Sequence, residues 1–120
     1  MVILVADDYA DSREVMRLFL EIEGHTVVQA ANGYEAVKMA TSTRPDLILM
    51  DLNMPIMDGL TAIRRLRADS CTCDIRIFVI SANGGDSEWR RRATQCGCDR
   101  CFAKPVDIDT LREAIEQVDA

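Results

Sequence analysis

Five short apolar runs, each followed by a stretch with apolar residues at helical spacing, leave this chain few folds to choose from. The runs lie at 2–6, 26–30, 47–50, 75–80 and 100–103. The third, Leu47-Ile48-Leu49-Met50, is four apolar residues in a row and fits a strand buried on both faces. It ends on Asp51, and Leu52-Asn53-Met54-Pro55 then breaks it. Strict alternation of strand and helix with short connections implies a parallel sheet with helices on both faces.

The helices are bounded by recognisable stops. Helix 1 is expected to begin with Asp11 or Ser12 as N-cap, to carry Val15, Met16, Leu18, Phe19 and Ile22 at helical spacing, and to stop at Gly24. Helix 2 is read over 34–42 after an Asn32-Gly33 turn, with Ala36, Val37 and Ala40 inward. Helix 3 is read from about 58–59 to 67, with Leu60, Ile63 and Leu66 inward. The segment 83–86, Asn-Gly-Gly-Asp, reads as a flexible loop with a capping acid, followed by helix 4 over 87–95 and a stop at Gly97. Asp107 or Asp109 caps helix 5, where Ile108, Leu111, Ile115 and Val118 repeat.

At 120 residues the chain is expected to be one domain, 1–120, with no effector domain, and large enough for a core without staples. A net charge of −6 argues against a nucleic-acid-binding surface. Met1-Val2-Ile3-Leu4-Val5 lacks a basic leader and is too short to span a membrane, so a cytoplasmic location is the expectation. Five cysteines fall in two groups, Cys71/Cys73 and Cys96/Cys98/Cys101. C-x-C is not the usual zinc spacing. Small buried residues and loop thiols are the plain reading, with a metal site or redox-sensitive thiols as the alternatives.

Chemistry-bearing residues sit at four strand ends: Asp7 and Asp8 after strand 1, Asp51 after strand 3, Ser81 after strand 4 and Lys104 after strand 5. Ligands of open parallel sheets bind at the carboxyl ends of the strands. With strand order 2-1-3-4-5, the acids of strands 1 and 3 would share one crevice. Close carboxylates repel unless protonated or bridged by a cation, and all-oxygen ligands favour Mg²⁺. Lys104 would meet a phosphoryl oxygen as a point charge, and Ser81 would donate to it. The arrangement suits attack by the Asp51 carboxylate on phosphorus.

These residues resemble the receiver domain of two-component response regulators. The match runs through Val5-Ala6-Asp7-Asp8, Asp51-Leu52-Asn53-Met54-Pro55-Ile56-Met57-Asp58-Gly59, Ser81-Ala82 and Ala103-Lys104-Pro105. It implies a flavodoxin-like (βα)5 fold in the order 2-1-3-4-5. It further implies that Asp51 accepts phosphate from a histidine kinase or histidine phosphotransfer protein. Asp8 and Asp51 would then bind Mg²⁺ through side chains, Asn53 through its backbone carbonyl and Asp7 through water. Ser81 and Lys104 would contact the phosphoryl group, and Lys104-Pro105 would be cis. Asn53 and Asn83 occupy positions that tune dephosphorylation in the family.

The family's output face is helix 4, strand 5 and helix 5, where this chain carries Trp89-Arg90-Arg91-Arg92. Trp and Arg are enriched in partner-binding hot spots. One departure stands out. The family usually has Tyr or Phe three residues before the lysine, and here that position is Cys101. Phe102 is one residue late and lies on the opposite strand face. Signalling is therefore expected to use the Ser81 loop and helix 4. The chain reads as a signalling phosphoacceptor, not an enzyme acting on other substrates. A Mg²⁺-dependent phosphohydrolase with an aspartyl-phosphate intermediate is the alternative, but such enzymes place a second Asp where this chain has Asn53. A binding module independent of phosphorylation is the third reading.

Overall fold

The computed structural model describes residues 1–82 and 86–119. The expectations for the 83–85 loop and for Asn83 lie outside them. Five strands, β1 (Val2–Ala6), β2 (Thr26–Ala30), β3 (Leu47–Met50), β4 (Arg76–Ser81) and β5 (Arg100–Ala103), alternate with five helices. The helices are α1 (Ala10–Ile22), α2 (Gly33–Thr43), α3 (Gly59–Ala68), α4 (Ser87–Cys96) and α5 (Ile108–Asp119). All strands are parallel, in the order β2-β1-β3-β4-β5. The expected fold class is therefore the observed one.

Alternation along the strands splits the core in two. Leu4, Ala6, Ile48, Met50, Ile77 and Val79 face α2, α3 and α4. Ile3, Val5, Leu47, Leu49, Phe78 and Ile80 face α1 and α5. Phe102 lies on this second side, its ring 5.6 Å from that of Phe78, whereas Cys101 packs on the first. The two neighbours on β5 thus point to opposite faces, as their spacing requires.

Several boundaries differ from the sequence reading. The N-cap of α1 is Tyr9, without a side-chain cap bond, and neither Asp11 nor Ser12 takes that place. The reason is Asp7: its Oδ1 accepts the Tyr9 N–H at 3.0 Å, which turns the chain into the helix two residues early. Ser12 then spends its hydroxyl on Asp7 Oδ2, at 2.8 Å. On α1, Leu20 is buried, while Val15, Leu18 and Ile22 stay exposed, a flanking stripe rather than the inner face. Asn32 caps α2 by accepting the Glu35 N–H at 2.8 Å, so its role is helix start rather than free turn. Asp107 caps α5, accepting the Asp109 N–H at 3.0 Å. Asp109 instead pairs with Arg112. Gly24 and Gly97 end their helices at positive φ, 96° and 109°, as glycine allows. Among the described residues no helix is long and apolar enough to cross a membrane.

Candidate functional site

The strand register delivers the acids to one edge. Ala6 stands opposite Met50 in the β1–β3 pair, so Asp7 and Asp51 leave the sheet side by side. The ladder continues one step beyond each strand: Asp51 N–H donates to the Ala6 carbonyl at 2.9 Å and Asp7 N–H to the Ala30 carbonyl at 3.1 Å. Both carboxylates are buried, at 6% and 8% exposure, whereas Asp8 is exposed. One carboxylate oxygen from each of Asp7, Asp8 and Asp51 lies within 4.8 Å of the other two.

Lys104 closes the site from β5. Its Nζ donates to Asp51 Oδ2 at 3.0 Å and to Asp7 Oδ2 at 3.1 Å. The other Asp51 oxygen, Oδ1, accepts the Asn53 N–H at 3.1 Å. Burial pushes the Asp51 carboxyl above the usual aspartate value. The hydrogen bond and charge of Lys104 pull it back only in part. Burial alone would lower the Lys104 ammonium, but the bonds and charges of Asp51 and then Asp7 outweigh it and hold its pKa above the ordinary lysine value. Ser81 is the last residue of β4 and fully buried, and its carbonyl accepts the Lys104 N–H at 3.0 Å. The Lys104-Pro105 bond is cis.

The loop after Asp51 is held by features with weaker sequence signals. Ile56 has φ 69°, and the Met57 N–H donates to the Pro55 carbonyl at 2.7 Å. A β-branched residue in that region is strained, and such strain collects at functional loops. Gly33 and Gly59 permit close approach. A Cβ on Gly33 would stand 2.2 Å from the Met57 carbonyl oxygen, and one on Gly59 would stand 2.3 Å from that of Asp51. Sequence reasoning missed Ser12 as the partner of Asp7. Its only sequence signal is a hydroxyl one helical turn after the acid pair.

Residues 3–116 match the family model of the response regulator receiver domain. The chain belongs to that family. Receiver domains are parts of two-component signalling proteins, and this one is similar to relatives of different size. It is 34% identical over 115 residues to Sporulation initiation phosphotransferase F of Bacillus subtilis, covering 96% of this chain and 90% of that protein. It is 32% identical over 116 residues to Sensor protein EvgS of Escherichia coli, covering 97% of this chain but 9% of that protein. The receiver domain of a sensor histidine kinase from Pseudomonas aeruginosa, solved with a magnesium ion in its active-site cleft, superposes with a TM-score of 0.90 at 29% identity. That match covers 99% of this chain and 98% of that one.

Proposed function

We propose that this receiver domain takes a phosphoryl group onto Asp51 from the phosphohistidine of a histidine kinase or histidine phosphotransfer protein, in the cytoplasm, with Mg²⁺ as its cofactor. The observation that carries the reading is the Lys104 ammonium held between the buried carboxylates of Asp51 and Asp7. A cation spanning two acids at a sheet edge is suited to trade one carboxylate for a phosphoryl oxygen.

Three oxygen donors within 4.8 Å fit a hard divalent ion. Asp8 and Asp51 would hold it through side chains, Asn53 through its carbonyl and Asp7 through water. Bound there, Mg²⁺ would neutralise charge on the transferring oxygens. The remaining work falls to the chain. One Asp51 oxygen attacks phosphorus, the phosphorus–nitrogen bond of the donor breaks, and the imidazole leaves. The Asn53 N–H orients the carboxylate through its second oxygen. Lys104 moves its charge onto a phosphoryl oxygen, and the Ser81 hydroxyl donates to another. The acyl phosphate is lost again to water at a rate that the exposed Asn53 side chain would tune, as would Asn83.

The donor reaches Asp51 across an apolar cleft of about 700 Å³ lined by Val15, Met16, Phe19, Val106 and Ile108 as well as by Asp51 and Lys104. The output surface is α4, β5 and α5. On it, Trp89 is half-buried and carries the Arg92 guanidinium 4.8 Å from its ring centre. Such a face suits a protein partner or effector domain better than nucleic acid, given the net charge of −6. Ser81 and α4 would carry the signal, because Cys101 replaces the aromatic residue of that position.

The test is phosphate incorporation from acetyl phosphate with and without Mg²⁺, for wild type and Asp51→Asn. Incorporation that needs Mg²⁺ and vanishes in Asp51→Asn is expected. Rapid donor turnover with no retained phosphate would move the protein to the phosphohydrolase reading. No incorporation and no turnover would leave a binding module that works without phosphorylation.

A further inference from the structure

The phosphoryl chemistry leaves the five cysteines unused. Among the described residues their thiols form no cluster of three that could hold a metal. Two of them do meet. Cys98 Sγ and Cys101 Sγ lie 3.5 Å apart. Their spacing, Cys98-Asp99-Arg100-Cys101, is C-x-x-C, the arrangement of dithiol redox pairs.

The backbone holds the two cysteines in place beside each other. Cys98 sits in the turn between α4 and β5, its N–H bonded to the Ala93 carbonyl at 3.2 Å. Cys101 is fixed in β5 opposite Val79. Between them, the Asp99 N–H donates to the Ile77 carbonyl at 2.8 Å, and Asp99 Oδ2 accepts the Ile77 N–H at 2.8 Å and Arg67 Nη2 at 3.1 Å. Arg67 Nε also holds the Gly97 carbonyl at 2.9 Å. The turn is therefore pinned on both sides, and the sulfurs need to close from 3.5 Å to about 2.0 Å.

We propose that Cys98 and Cys101 form a redox-active dithiol that closes to an intrachain disulfide by exchange with a small-molecule disulfide of the glutathione class. Cys101 is the half-exposed thiol and attacks first. It gives up its proton, and its sulfur bonds to one sulfur of the small molecule. The small molecule's S–S bond breaks, and the departing thiolate takes up a proton. Cys98 is buried, and burial together with its bond to Cys101 pushes its thiol up to about 12, so it is the protonated, second-attacking thiol of the pair. Its sulfur then attacks Cys101 Sγ, and its proton goes to the second departing thiolate. Two protein thiols are oxidised and one disulfide is reduced to two thiols, with no further reactant. The bridge would fasten β5 to the α4–β5 turn on the α4 side of the sheet.

The test is equilibration of the full chain in graded reduced and oxidised glutathione, followed by acid quenching, alkylation, intact mass and peptide mapping. The expected oxidised species is lighter by two hydrogens, carries alkyl groups on Cys71, Cys73 and Cys96, and yields a Cys98–Cys101 cross-link. Doubling total glutathione at a fixed ratio of its two forms should lower the oxidised fraction ratio about twofold, because two small thiols are released per bridge. Cys96→Ser should keep the bridge and Cys101→Ser should lose it. Full alkylation of all five thiols at every ratio would overturn the proposal. So would a lasting single glutathione adduct, whose population is insensitive to total concentration, or a bridge between any other pair. The mapping uses wild-type protein, so a poorly folding variant does not affect it, and the result is independent of whether Asp51 takes phosphate.

Discussion

Gly59→Ala should damage this protein although alanine is the better helix former. Gly59 opens α3, directly after the N-cap Asp58, and its N–H donates to the Leu52 carbonyl at 2.9 Å. An added Cβ would stand 2.3 Å from the Asp51 carbonyl oxygen, 2.8 Å from Leu52 Cα and 3.1 Å from the Asp51 carbonyl carbon. All three are backbone atoms, so no side chain can swing aside. The propensity gain of Gly→Ala is at most about 1 kcal/mol. Overpacking costs about 1–3 kcal/mol, and displacing the helix weakens a hydrogen bond worth about 1 kcal/mol. The clash wins, with a net loss of about 2 kcal/mol. For a domain of this size, 1 kcal/mol moves Tm by about 3–5 °C, so a fall of about 6–10 °C is expected. Thermal unfolding followed by circular dichroism measures the fall in Tm, and urea unfolding the loss of free energy. Gly24→Ala is the comparison: φ is 96°, but nothing lies within 4 Å of the new Cβ, so only the backbone penalty of about 1–2 kcal/mol remains. A Gly59→Ala protein as stable as wild type, or less damaged than Gly24→Ala, would refute the close-approach argument.

Asp51 gives a pH dependence of definite sign. Its folded-state pKa is raised, so its contribution to stability is full below the ordinary aspartate range and is lost as pH rises through the folded-state value. In chelator-containing buffer Asp51→Asn should therefore melt above wild type at neutral pH, with the gap closing on acidification; a gap that widens toward low pH would contradict it. Lys104→Ala removes two charge-assisted hydrogen bonds from the site and should slow phosphate incorporation from acetyl phosphate by about tenfold or more, with the fold retained by circular dichroism. Arg67→Ala strips donors from the carbonyls of Cys73, Ile75 and Gly97 and removes one of the two arginines that pair with Asp99, and should cost about 2–4 kcal/mol in urea unfolding.

The sheet order came with the family resemblance rather than from the strand pattern; given that order, the meeting of Asp7, Asp51 and Lys104 was legible because parallel strands end on one edge, so residues far apart in sequence share a place. The helix stops at Gly24 and Gly97 were legible because positive φ selects glycine. The start of α1 was not. Asp11 and Ser12 carry good capping chemistry, but a carboxylate upstream, Asp7, bends the chain first. The inner face of α1 was blurred because its apolar residues cover more of the circumference than the sheet can bury, which leaves Val15, Leu18 and Ile22 outside. The anchoring role of Arg67 on α3 was not legible. Its three carbonyl partners come from two separate loops, and no local pattern announces them. Gly33 and Gly59 read as turn and helix-start residues, whereas their tight fit against Met57 and Asp51 is a packing fact.

The five helices are not anchored alike. α3 buries Leu60, Ala62, Ile63 and Leu66 together with Gly59, whereas α4 buries Ala93 and Cys96. Apolar area removed from water sets the cost of peeling an element away, and two small side chains with a half-buried Trp89 hide less of it than the buried stripe of α3. Amide exchange is thus expected to be faster along α4 than along α3, which holds its protons until the whole domain opens. A helix that is cheap to detach can be re-seated by a signal worth a few kcal/mol without endangering the sheet beneath it.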